Sequence, residues 1–316
     1  MTITRTFDLL SNLKASFPPK DDILARKVQG QWIKYSIDDY IEHSHNVAYG
    51  LLALGFKAGT KIITLCSNRP EWNFVDMGAN LAHMIHVPVY STLSKRDFKH
   101  IFDHSDAKII IVGNKNLYKK VTPIIDEIDR EFKVMMMDDS DEIFCISKLE
   151  ALGREHKEQF APIVERNKAE ISPDECCSIV YTSGTTGLPQ GVMLSHRNLT
   201  SNAHGHALRQ VWNWNHKMLS FLPLCHVYER TMNYEYQELA ISIYYAESLS
   251  TVATDLADSQ ADGFCAVPRV LEIMYSKFEA AGKKLKGIKR IIYKLAWNFA
   301  NNFDNYNKSK RYLAKR

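Results

Sequence analysis

The 316-residue sequence has no long apolar run and none of the patterns of a leader or a repeat protein. No segment approaches the roughly 20 apolar residues of a membrane-spanning helix. The first ten residues contain Arg5 and Asp8 and no apolar core, which is not the pattern of a secretory signal. Hydrophobic residues make up 45% of the chain and charged residues 24%. These proportions are typical of a soluble globular protein of one large or two medium domains.

The six cysteines form no C-x-x-C pair, and no histidine lies at zinc-type spacing from them. Cys176 and Cys177 are adjacent at the start of an apolar, strand-like stretch. Core packing is therefore a better interpretation for them than a metal site or a disulfide. Scattered, unpaired cysteines fit a reducing cytoplasm, and we expect a cytoplasmic protein.

Two common catalytic motifs are also missing. No G-x-S-x-G turn surrounds the serine of Ser195-His196, so a nucleophilic pair is disfavoured there. A serine just before a helical pattern is typical of an N-cap, and we expect that role for Ser195. The Walker phosphate loop needs G-x-x-x-x-G-K-S/T at a helix start, and the glycines at 184, 187 and 191 supply no such register.

The most informative stretch that is present is YTSGTTGLPQGV, residues 181–192. Apolar residues on both sides predict a strand, a tight loop and a second strand. Glycines let a ligand approach the backbone closely, and hydroxyls with free N–H groups can surround an anion. Composition alone leaves two interpretations. One is a cradle for a nucleotide phosphate, and the other is a plain hairpin turn, which uses the same residues.

Strand-like and helix-like segments alternate along the chain. We predict strands at 61–66, 87–90, 108–112, 133–137, 177–182, 192–194, 218–222 and 263–267. We predict helices at 37–54, 71–84, 95–105 with Ser94 as N-cap, 117–130, 197–212 and 268–281. This alternation predicts an α/β fold with parallel sheets flanked by helices. We expect a first βα subdomain over 1–175, ending in an irregular connecting region at 138–175, and an incomplete second one over 176–316.

Charge is distributed unevenly along the chain. Residues 283–316 hold eleven Lys and Arg against one acidic residue, so of the net charge of +4 they contribute +10 and the rest −6. Apolar residues recur through this stretch at helical spacing, which predicts an amphipathic helix. One interpretation is peripheral membrane contact through the basic 283–316 region. The other is an ordinary helix packed on its parent domain, with a solvated basic face.

The 181–192 stretch closely resembles the signature of the adenylate-forming superfamily, in which two Ser or Thr residues precede G-T-T-G-x-P-K-G-V. Only Gln190 departs from it, at the position where the family has a lysine. Other segments resemble the first half of long-chain fatty acyl-CoA synthetases: 68–72 (NRPEW), 87–94 (VPVYSTLS), 221–230 (FLPLCHVYER), 245–248 (YAES) and 266–272 (AVPRVLE). The resemblance implies the large N-terminal domain of an acyl-CoA synthetase.

The resemblance also implies a reaction and a site. A fatty carboxylate attacks ATP to give acyl-AMP, and coenzyme A then displaces AMP, with Mg²⁺ assisting at the phosphates. The implied ATP-phosphate ligands are Thr182, Ser183, Gly184, Thr185, Thr186, Gly187, Gln190 and Gly191. Thr182 or Thr185 is the implied metal contact, and His226 and Glu229 the implied substrate-pocket residues. Glu229 and Arg230 have a second interpretation, as partners of each other or of helix neighbours.

The family's remaining machinery, including its adenylation lysine and C-terminal domain, is expected beyond residue 316. We therefore expect an N-terminal fragment with no catalytic residue of its own, inactive alone. The expected partners are fatty acid and coenzyme A, and no nucleic acid. Two alternatives stay open: a fatty acyl-AMP ligase that feeds a carrier protein, and a non-catalytic binding module.

Overall fold

The computed structural model describes residues 2–183 and 187–302, with only the backbone of Ser183. The helices are α1 Asp8–Ser16, α2 Ile37–Ala53, α3 Pro70–Leu81, α4 Lys95–His104, α5 Lys115–Ile125, α6 Ile146–Glu155, α7 Lys157–Glu170, α8 His196–Ala207, α9 Val227–Glu238, α10 Val252–Ser259, α11 Pro268–Lys284 and α12 Gly287–Asn301. The strands are β1 Leu24–Val28, β2 Gln31–Tyr35, β3 Lys61–Leu65, β4 Ile85–Pro88, β5 Ile109–Val112, β6 Lys133–Met136, β7 Cys176–Ser183, β8 Pro189–Ser195, β9 Lys217–Ser220, β10 Ser242–Tyr245 and β11 Gly263–Phe264.

Two sheets carry the α/β architecture that the sequence predicts. The six-stranded sheet has the order β6-β5-β3-β4-β7-β8, and the five-stranded sheet the order β11-β9-β10-β1-β2. Pairing is parallel except at β7–β8 and β1–β2, which are antiparallel hairpins. Strands β3, β4 and β5 are almost wholly buried, as expected for parallel strands covered on both faces.

The sheets do not follow the order of the chain. Strands β7 and β8 complete the sheet begun by β3–β6, while β1 and β2 join β9–β11. The predicted subdomain boundary after residue 175 stays a prediction, and the strands that follow it, β7 and β8, share a sheet with β3–β6. Contacts separate two compact units, one up to Cys265 and one from Ala266 onward.

The region predicted to be irregular, 138–175, contains helices α6 and α7, so that prediction is wrong. Helix α6 buries Ile146 and Leu149 and packs closely along α2. A Cβ on Gly153 would overlap the backbone carbonyl of Asn46. The close contact therefore requires a glycine, a residue that weakens the helical pattern in the sequence.

Local signals explain several element boundaries. Ser36 and Asp39 form a reciprocal capping box at the start of α2, and Ser94 caps α4 as predicted. Ser195 accepts a hydrogen bond from the Asn198 N–H at the start of α8, which confirms its predicted N-cap role. Helix α5 ends at Ile125, short of the predicted residue 130.

The described part of the unit from Ala266 onward contains α11 and α12, and the rings of Tyr275 and Tyr293 pack on Trp297 within it. Helix α12 confirms the predicted amphipathic helix up to Asn301; residues 303–316 lie outside the described part of the chain. Within residues 2–183 and 187–302, no helix is long and apolar enough to cross a bilayer.

Candidate functional site

The 181–192 stretch forms the β7–β8 hairpin. Tyr181 pairs with Gly191, Thr182 with Gln190, and Ser183 with Pro189, so the loop proper is 184–188. The predicted ligands Gly184, Thr185 and Thr186 lie outside the described residues, as does the side chain of Ser183. Strand, loop and strand are thus as predicted, and a hairpin by itself is compatible with both interpretations of the sequence.

Gly187 has a left-handed backbone with φ of +81°, and among the described residues other than its chain neighbours no atom lies within 4 Å of where its Cβ would be. Thr182 is exposed near the end of β7. The described part of the loop therefore offers a glycine backbone and an exposed hydroxyl to an approaching ligand.

A pocket of about 470 Å³ opens beside this hairpin. Its walls come from the end of β4, from α4, from both hairpin strands and from the segment before α9. The lining residues are Pro88, Val89, Tyr90, Leu93, Asp97, Ile101, Val180, Tyr181, Thr182, Gly187, Leu188, Pro189, Cys225, His226 and Val227. The pocket is mostly apolar with a few polar groups, which is the usual character of a small-molecule site. It brings three predicted site residues, Thr182, Gly187 and His226, to one place.

His226 is the N-cap of α9 and is itself exposed. Its Nδ1 accepts a hydrogen bond from the Tyr228 backbone N–H at 3.2 Å. Because Nδ1 is an acceptor, a neutral ring carries its proton on Nε2. His226 can therefore cap the helix and still offer an N–H to a ligand in the pocket.

Glu229, the other predicted pocket residue, does not line this pocket. It is 1% exposed, and its Oε1 accepts hydrogen bonds from Ser220 Oγ at 2.6 Å and from Asn233. Its Oε2 has no hydrogen-bond partner among the described residues. Burial raises the pKa of Glu229 to about 7, despite the opposing effect of Ser220. The contact with Asn233 fits the interpretation of Glu229 as a partner of helix neighbours, whereas Ser220 on β9 is a partner that the sequence did not indicate.

Arg230 is completely buried and ties α9 to the strand that leads into the loop. It donates to Ser178 Oγ on β7 and to Asp76 Oδ1 on α3, each at 2.5 Å. The Nδ1 of His86 also bonds Asp76, at 2.7 Å. Burial alone would raise the pKa of Asp76, but the charge of Arg230 and the bond from His86 lower it to about 2.

Sequence reasoning missed the role of this network, and it missed His100 and His104 on α4. His100 bonds the carbonyl of Pro189, and His104 bonds the hydroxyl of Tyr181. With Gln190 they border a second cleft of about 400 Å³ against β8. The available signal was the spacing of the two histidines, four residues apart, which places both on one face of a helix.

No group of three or more histidine, cysteine or acidic side chains that could hold a metal occurs within 2–183 and 187–302. All six cysteines are free, and Cys145 and Cys177 are buried, in line with core packing.

The AMP-binding enzyme family matches residues 14–297 of this chain. A long-chain-fatty-acid–CoA ligase of Xenopus laevis is 30% identical over 281 residues, covering 84% of this chain and 38% of that protein. A peroxisomal long chain acyl-CoA synthetase of Arabidopsis thaliana is 27% identical with the same coverage. A solved long-chain-fatty-acid–CoA ligase of Archaeoglobus fulgidus superposes with a TM-score of 0.74 at 18% identity, covering 88% of this chain and 54% of that one. The chain thus spans about 38% of the length of these two curated relatives.

Proposed function

The chain belongs to the AMP-binding enzyme family, and we propose that it supplies the phosphate loop and part of the acyl pocket of a long-chain fatty acid–CoA ligase. The observation that carries this proposal is the position of the hairpin. Its loop lies at the rim of an apolar pocket whose wall also holds His226. A phosphate cradle and an apolar tunnel entrance side by side are what the joining of ATP to a fatty acid requires.

In the proposed reaction the fatty carboxylate attacks the α-phosphorus of ATP, an oxygen–phosphorus bond forms, and pyrophosphate leaves. The thiol of coenzyme A then attacks the acyl carbon and AMP leaves. We propose that Thr182, Gly187 and their loop neighbours donate hydrogen bonds to the phosphates, since donors placed at developing charge lower the barrier. Mg²⁺ would neutralise phosphate charge, and it is usually held largely by the phosphates themselves.

The pocket wall suggests how the acid is held. Apolar residues such as Val89, Ile101 and Val180 suit an alkyl chain. The Nε2–H of His226 can donate to the carboxylate at the polar end. These are binding and positioning roles, and we assign no catalytic residue within this chain.

Fatty-acid-dependent ATP–pyrophosphate exchange tests the proposal. The longest product of this reading frame is assayed with acids of increasing chain length, beside the 316-residue chain. We expect exchange in the longer product and none in the 316-residue chain. A Thr182→Ala and Gly187→Pro double variant of the longer product should lose the exchange. Product analysis with coenzyme A and with an acyl carrier protein separates the acyl-CoA ligase from an acyl-AMP ligase. Absence of exchange with every acid would refute the proposal and favour a binding module.

We also propose that α12 contacts the surface of an anionic membrane. Ile288, Ile291, Ile292 and Leu295 form one exposed apolar face, at 60–76% exposure. Lys289 and Lys294 flank that face on the same helix, as in helices that lie in the bilayer interface. Sedimentation with phosphatidylserine vesicles should pull down the chain, and Ile291→Ser with Lys294→Glu should abolish this. Equal sedimentation of the variant would contradict the contact.

A further inference from the structure

The hairpin that carries the loop lies at the edge of its sheet. Strand β8 ends the order β6-β5-β3-β4-β7-β8, so β7 is its partner strand in the sheet. Helix α4 packs beside it. The core side of α4 buries Phe98, Ile101 and Phe102, which fixes the helix in place. His100 and His104 lie one turn apart on α4, with ring centroids 5.2 Å apart.

Each histidine holds one strand of the hairpin. His100 Nε2 donates to the backbone carbonyl of Pro189, the first residue of β8, at 2.9 Å. His104 Nδ1 shares a hydrogen bond of 2.8 Å with the hydroxyl of Tyr181 on β7, and the two rings meet edge to face. The bonded positions lie on either side of residues 182–188, so they enclose the whole loop.

Gly191 leaves space for the ring of Tyr181 in the orientation that reaches His104. A Cβ at residue 191 would lie 2.8 Å from Ile179 Cγ2 and 3.2 Å from Tyr181 Cζ. The glycine therefore makes room for the tyrosine ring. Burial raises the pKa of Tyr181 to about 12, so the hydroxyl keeps its proton at neutral pH.

We propose that His100 and His104 are positioning residues that fix both strands at the base of the phosphate loop, and that they thereby set the affinity of the loop for a nucleotide. The second part, the effect on nucleotide affinity, rests on the proposed function. The first part, that the two histidines fix the strands of the hairpin, does not.

Crossed substitutions test the first part. The amide nitrogen of Gln reaches about as far as Nε2 of His, and that of Asn about as far as Nδ1. His100→Gln and His104→Asn should therefore preserve the bonds, while His100→Asn and His104→Gln should break them. Each amide type preserves one bond and breaks the other, so differences in helix propensity cannot produce the expected pattern.

The measurement is hydrogen–deuterium exchange of the 176–195 amides in the unliganded chain. The bond-breaking variants should exchange roughly 2- to 10-fold faster there, the range for loss of one neutral hydrogen bond. The bond-preserving variants, and the α2 amides in all four, should match wild type. Tyr181→Phe combined with His104→Gln should add nothing to either change alone. The inference would be overturned if the exchange rates were unchanged. It would also be overturned if the rates depended on whether the new residue is Gln or Asn and not on whether the hydrogen bond is kept.

Titration with MgATP tests the second part in the same proteins. The bond-breaking variants should raise Kd by a factor similar to the change in exchange, with the bond-preserving variants at the wild-type value. Altered exchange with an unaltered Kd would overturn the link to affinity. Failure of the wild-type chain to bind ATP would instead count against the proposed function, and the exchange result would still decide the positioning role.

Discussion

Glu229→Gln should stabilise the protein at neutral pH, by an amount that depends on pH. The carboxyl group is almost fully buried, and one of its oxygens has no hydrogen-bond partner within the part of the chain that the structure describes. Burial raises its pKa from the ordinary 4.5 to about 7. The folded state therefore holds the proton at pH values where the unfolded chain has released it, and stability falls as pH rises from 4.5 to 7. At about 1.36 kcal/mol per pH unit, the loss reaches about 3 kcal/mol.

Glutamine keeps an oxygen for Ser220 Oγ and does not ionise. Its advantage over wild type should be near zero at pH 4.5 and about 3 kcal/mol at pH 8. Urea denaturation of both proteins across this range measures the difference directly. Glu170→Gln, a substitution of an exposed glutamate on α7, is the control and should stay within about 0.5 kcal/mol throughout. A constant difference between Glu229→Gln and wild type would refute the burial argument.

Substitutions at three further positions test other parts of the account. Gln190→Lys should tighten MgATP binding about 10-fold, because a charge-assisted contact to phosphate is stronger than a neutral one by about 1–1.5 kcal/mol. Gln190→Glu should weaken MgATP binding. Equal Kd values for the variants and wild type, measured by calorimetry, would count against a phosphate near β8. Gly153→Ala should cost about 1–3 kcal/mol in urea denaturation by forcing α6 from α2, and an unchanged midpoint would be inconsistent with that packing. Burial lowers the pKa of His196 to about 4, so the contribution of His196 to stability should fall by about 3 kcal/mol as pH drops from 6.5 to 4, opposite in sign to that of Glu229. The difference in stability between wild type and His196→Asn should therefore shrink by about 3 kcal/mol over this range, and a constant difference would contradict it.

Local pattern was sufficient for most of the fold. The buried strands β3 and β5 are short apolar runs with β-branched residues, and α2 and α4 begin at serine caps. These signals lie within a few residues of each other, so the sequence alone shows them.

What the sequence could not show depends on contacts between distant segments. Strands β1 and β10 pair across more than 200 residues, and no local pattern specifies which sheet a strand joins. Residues 138–175 looked irregular because they are polar and acidic, and the close packing of α6 on α2 at Gly153 is a contact between distant segments. The network of Arg230, Asp76 and Ser178 likewise joins α9, α3 and β7 only after folding.

The candidate site likewise combines residues that could be predicted from the sequence with contacts that only the structure shows. The resemblance of the loop to the adenylate-forming signature implied Thr182, Gly187 and Gln190, and the resemblance of the segment around His226 implied that residue. The contacts of His100 and His104 with the hairpin needed the structure, because α4 and β8 are about 90 residues apart in the chain.

Backbone resonance mapping of the isotope-labelled chain during titration with MgATP tests the central claim most directly. If the β7–β8 hairpin is the phosphate loop, the amides of Thr182, Gly187, Leu188, Gln190 and Gly191 should shift saturably, while those of the distant β1–β2 hairpin should not. Shifts confined to another part of the chain, or none at millimolar ATP, would contradict the account.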